Sequence, residues 1–198
     1  MRVLQASSAL AALMIGANAR AQTNNPAGMS PDTPRVETGK PDASAAENTA
    51  DQLFSRQASL GNTAEVELAK MAGQKSKNPA VKEFAQHMIE DHGKANDQLG
   101  SLAKAQHIAL RTEWDTDHKV IRDQLSKLSG PAFDDLYIRS QIADHQKTAQ
   151  LLEWHITSAQ NEQLKSFSIQ TLPVVLAHLQ SAKALQAQLT STPPPVPR

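Results

Sequence analysis

The sequence has no cysteine, which excludes disulfide cross-links, thiolate metal ligands and a cysteine nucleophile. It has no net charge and a pI near 7.1, so no global field gathers nucleic acid or holds the chain on an anionic membrane. Aromatic residues make up only 4%, and strand-favouring residues never fall into alternating runs, so the pattern for a sheet is missing. Past the N-terminus no segment approaches the roughly 20 apolar residues that span a bilayer, and no membrane-spanning segment is expected in the mature protein. A Gly-rich phosphate loop, a His-Glu-x-x-His pair and a recognisable nucleophile motif are also absent. No catalytic residue is therefore assigned, and the one enzyme class left open is an oxidoreductase.

What remains is rich in Ala, Leu, Gln, Lys and Glu, the composition of helices. At 198 residues the chain suits one core of ordinary size. Residues 1–21 read as a secretory signal: Arg2, an apolar stretch from Ala9 to Ala17, then Ala19-Arg20-Ala21 before a cleavage point at Gln22. The competing reading, an N-terminus retained inside the cell, rests on the single early Arg and the modest apolar run. Residues 22–49 carry Pro26, Pro31, Pro34 and Pro41 with almost nothing large to bury, and read as a disordered linker. Residues 191–198 form a Pro-rich tail that cannot continue a helix.

Between these ends, residues 50–190, helical spacing recurs. One helix is expected from about Asp51 to Lys75, with Phe54, Ala58, Gly61, Leu68 and Ala72 on one face. A second opens on Asn78-Pro79, a cap followed by proline at the first helical position. A shorter one covers about Thr112 to Leu128, Ser129-Gly130-Pro131 starts the next, and Asn161 caps the last, with a kink expected before Pro173. Short links within each pair and a longer passage between the pairs predict an all-α, antiparallel four-helix bundle, ferritin-like, with a shorter extra helix in the connection. Plain up-and-down connectivity is the alternative, because periodicity fixes helices better than topology.

Four ionisable residues interrupt the apolar stripes: Glu65, His92, His145 and His178. Each lies roughly 20 Å along its own helix, so in an antiparallel bundle they share one level. Met88-Ile89-Glu90-Asp91-His92-Gly93-Lys94 and Gln141-Ile142-Ala143-Asp144-His145-Gln146-Lys147 also look like an internal repeat. Imidazole and carboxylate together suit a divalent metal such as Fe, Zn, Cu or Mn, so metal ions are the expected partner. Asp91, Asp144 and Glu153 sit off the stripe and suit hydrogen bonds to the ligands. The competing reading is a polar layer that fixes helix register without metal. Met88 reads as core filler, one turn from His92 and able to offer a thioether to copper. His87, His107, His118 and His155 are expected in solvent. No Glu-x-x-His pair occurs, so the carboxylate-rich di-iron pattern is missing.

Ala64-Glu65-Val66-Glu67-Leu68, the run from Phe84 to His92, the run from Gly130 to Tyr137, Asp144-His145-Gln146 and the run from Leu172 to Leu179 resemble the domain of unknown function 4142 family. The likeness covers roughly residues 50–189. It implies a ferritin-like bundle exported to the bacterial envelope, in the periplasm, with recurrent positions at Glu65, His92, His145 and His178. The expected function is metal binding for storage, buffering or oxidative-stress protection, and the alternative is a non-enzymatic envelope-stress or interaction module.

Overall fold

The computed structural model describes residues 43–111 and 113–191, with side chains from Thr49 onward. The expected signal, the linker as far as Asp42 and the tail beyond Ser191 lie outside these residues. Five helices and no strand are found among those described: α1 (Ala43–Lys75), α2 (Pro79–Ala105), α3 (Thr116–Ser126), α4 (Gly130–Ser158) and α5 (Glu162–Ser191). All belong to one unit, Gly39–Arg198.

Local chemistry sets the boundaries. Asn78 accepts from the Ala80 amide at 3.0 Å and Pro79 follows, as expected at the start of α2. The α5 cap is also as expected, with the Asn161 side chain accepting from Gln163 and Leu164 at 3.0 Å each. Helix α3 starts later than its spacing suggests, because Asp115 caps it by accepting from the His118 amide at 2.8 Å. Helix α1 starts at Ala43, about two turns before Asp51. Gly130 opens α4 at φ 59°, a left-handed conformation that explains a glycine before Pro131. Helix α5 runs through Pro173 without a break. The carbonyl that the missing amide would have engaged belongs to Ile169, on the solvent side, where it can stay hydrated.

Each long helix packs against two others: α1 on α2 and α4, and α5 on α4 and α2. Numbering runs in opposite senses across the pairs. Ser59 meets Asn96 while Asn62 meets His92, and His155 meets Ser168 while Asp135 meets Gln186. On the third pair, His155 stacks on Phe54 while Asp144 lies beside Glu65. Helices α1 and α5 therefore run one way and α2 and α4 the other. The passage from α2 to α4 must return along the molecule, and α3 lies on it, packed on α4.

The interior holds two apolar clusters. One gathers Leu68, Val81, Phe84, Met88, Phe133 and Tyr137, and the other Phe54, Leu99, Leu152, Leu164, Phe167 and Val175. Burying each such large side chain contributes about 1.5–3 kcal/mol. Every long helix feeds both clusters, and the polar stripe residues fall between them.

Candidate metal centre

Three helices deliver one imidazole each to the layer between the clusters: His92 from α2, His145 from α4 and His178 from α5. They are 5%, 1% and 8% exposed, and one ring nitrogen of each lies within 4.8 Å of the other two. His92 Nε2 and His145 Nε2 face each other at 3.3 Å.

The outer nitrogens decide what the inner ones present. His92 Nδ1 donates to Asn62 Oδ1 at 2.9 Å, and His145 Nδ1 donates to the Gln141 carbonyl one turn back at 2.9 Å. His178 Nε2 donates to Asp91 Oδ2 at 3.0 Å, while its Nδ1 is buried without a partner. Each ring spends its N–H outward on an acceptor, so each turns a lone pair inward. Burial, then the neighbouring imidazoles, pushes His92 down to about 3 and His145 down to about 4. His178 is also lowered, by burial first and against the pull of Asp91. All three are neutral near pH 7. Lone pairs at 3.3 Å with no proton between them repel, and a shared cation removes that repulsion. Nitrogens bound at about 2 Å to one ion stand about 3.3–3.6 Å apart, so a separation of 4.8 Å needs to close by about 1.2–1.5 Å.

Glu65 is buried on α1 but does not join the group of three. At the triad's level α1 offers Asn62, and Glu65 lies one turn further on, beside Asp144 and Gln141. Asn62, about 4.5 Å from Glu65 along the helix axis, is the α1 residue that faces His92. Burial, then the Asp144 charge, holds Glu65 well above the usual carboxylate range, with Gln141 pulling the other way. Asp91 bonds a triad ring; Asp144 instead pairs with His118 Nε2 at 3.3 Å, and Glu153 is exposed. Met88 is fully buried in the first apolar cluster.

Two histidines expected in solvent are not there. His118 is 13% exposed at its side chain and lies between Asp115, at 2.9 Å from Nδ1, and Asp144. Burial opposes its charge, but the Asp144 and Asp115 partners raise it to about 8. His155 is fully buried: Nε2 donates to Asp51 at 2.9 Å, Nδ1 accepts from Ser168 at 2.7 Å, and the ring stacks on Phe54 at 3.7 Å. Asp51 also accepts from the Asn161 amide at 2.9 Å, tying α1 to the turn before α5. Spacing could have found both. His118, Ile121 and Leu125 form one stripe, and the stripe through Ala149 and Leu152 reaches 155 as readily as 156. His87 and His107 are exposed, as expected.

The fold and this layer define a class: an all-helical protein with a buried cluster of imidazoles between two apolar cores. The chain belongs to the DUF4142 family, domain of unknown function, whose model matches residues 36–185. No curated protein matches it. Among solved structures it is similar to a DUF305 fragment from Deinococcus radiodurans (TM-score 0.64, 11% identity, 70% of this chain and 96% of that one). A DUF305 protein from Streptomyces coelicolor, provisionally described as secreted, gives TM-score 0.64 and 11% identity over 72% of this chain and 94% of that one. CopM in its Cu(I)-bound form gives 0.61 and 18% identity over 70% and 96%. Likeness at these identities is likeness of fold. No helix among the described residues is long and apolar enough to cross a membrane.

Proposed function

We propose that this protein is an exported, periplasmic metal-binding protein of ferritin-like, antiparallel four-helix design, holding one soft cation of the copper or silver kind at His92, His145 and His178. The observation that carries the reading is the inward convergence of three neutral imidazole lone pairs, each ring fixed by an outward hydrogen bond. Imidazole suits copper, and the lack of a carboxylate or Glu-x-x-His pair at the triad disfavours di-iron chemistry. CopM, of similar fold, has been seen with copper and with silver, which favours the same class of ion here. The signal-like N-terminus and the relative described as secreted support export. Holding an ion behind apolar walls fits storage or buffering, and bound metal adds stability in proportion to its concentration over Kd.

Titration of the metal-free protein with Ag+ against a competing chromogenic chelator tests this. One ion per chain is expected, bound at least 100-fold more weakly after His145→Ala; equal affinity in the two proteins defeats the reading. A second reading, a register-fixing polar layer in an envelope-stress or interaction module, is favoured by the outward bonds that join α2 to α1 and α5. It expects the triple change of His92, His145 and His178 to leucine to stabilise the fold whether or not Ag+ is present.

A further inference from the structure

Between α1, α3 and α4 lie two adjoining cavities of about 260 and 230 Å³, both bounded by Glu65, His118 and Asp144. The smaller also reaches His92, so it leads to the triad. Glu65 is 1% exposed, yet neither of its oxygens has a hydrogen-bond partner. The Gln141 amide, fully buried on the wall of the larger cavity, is unpartnered at both ends as well. Bare polar groups at such depth are costly unless something entering the cavity satisfies them.

The wall chemistry selects a cation. Asp115 and Asp117 join Glu65 and Asp144 around the smaller cavity, against His118 and Lys147. Lys147 is already engaged with Asp117 at 3.2 Å. An anion would meet the charges of Asp115, Asp117 and Asp144, whereas a cation would meet them together with a buried carboxyl whose neighbours are Asp144 and Gln141. A second cleft that touches the triad, between α2 and α5, lacks this provision. Its carboxylate, Asp91, is committed to His178 and has Lys94 at 3.9 Å.

We propose that the chamber beneath α3 is a cation docking site, with the side-chain oxygens of Glu65 and Asp144 as its donors, through which the ion reaches His92 and the triad. The inference rests on the triad being the ion's resting place, and it assigns Glu65 a role in delivery. Glu65 lies one turn from the α1 residue that orients His92, so the two positions are neighbours along one helix. Asp144 precedes His145 on α4 and turns to the chamber while His145 turns to the triad.

Stopped-flow mixing of the metal-free protein with Ag+, followed by tryptophan emission, tests the route. The signal that His145→Ala loses belongs to the triad. Glu65→Gln and Asp144→Asn are expected to slow that phase at least tenfold, with the dissociation rate falling alongside it. Thr148→Phe, which narrows the smaller cavity, should slow it too, and Val174→Phe, across the α2–α5 cleft, should not. Circular dichroism melts confirm that each variant is folded. Unchanged loading by folded Glu65→Gln and Asp144→Asn overturns the docking site while leaving the triad intact, as does slowing by Val174→Phe alone. If wild type and His145→Ala take up Ag+ identically, the triad reading falls first and the route falls with it.

Discussion

Asp91→Asn is the most informative single change beside the triad. The amide keeps an acceptor for His178 but loses the negative charge that fixes the ring, and such partners are worth about 10- to 100-fold in metal affinity. A drop in Ag+ affinity within that range, by chelator competition, is the expected result. Titration of the metal-free protein gives a second prediction. His92 and His145 fall from about 6.5 to about 3 and 4, so the unfolded chain binds more protons than the native one below about pH 6.5. Their contribution is complete above that pH and is lost as pH falls toward 3. His118 has the opposite sign: raised to about 8, it stabilises fully below about 6.5, and that stability is lost as pH rises through 8. Urea midpoints against pH should therefore form a dome, with His118→Asn flattening the alkaline side and also weakening the acid side, where His118 holds Asp144 and Asp115 below their ordinary values. At this scale the three imidazoles were legible because each interrupts an apolar stripe. Asn62 and Gln141 were not, since an uncharged amide or a main-chain carbonyl leaves no mark on periodicity.

Helix ends carry the next predictions. Helix α2 closes with His107 at φ 56°, the Ile108 amide reaching the Ala103 carbonyl at 2.8 Å and the His107 amide reaching Lys104 at 3.2 Å. This bonding pattern normally places glycine in the left-handed position. His107→Gly should accordingly raise stability by about 0.5–1 kcal/mol in urea unfolding, because the strain relieved exceeds the added freedom of the unfolded chain. Asp51→Ala should do the reverse, by about 2–4 kcal/mol, since it strands the buried His155 N–H and frees the Asn161 amide. Helix existence was readable from spacing and caps throughout. The start of α1 was not, because Ala43–Ala50 shows no apolar stripe to announce it.

For the whole molecule, ion binding and folding are linked. An ion held only by the native arrangement of α2, α4 and α5 adds about 4 kcal/mol when its concentration is a thousandfold above Kd. Ag+ should therefore raise the melting temperature of wild type by several degrees, and leave the triple leucine variant where it was. The direction of the helices could not be decided from periodicity, since it depends on a connection whose own short helix packs mainly on α4.

The inner nitrogens of the triad are uncharged donors, and the Asp91 carboxylate that bonds His178 stands on the outer side of that ring. A guest must therefore keep nearly all its own charge inside an apolar interior. The solvation lost in that transfer grows as the square of valence, about fourfold from a singly to a doubly charged ion of equal radius. The same three rings that would grip zinc in a wetter or more acidic setting thus favour Ag+ or Cu+ here, and discrimination comes from electroneutrality more than from fit.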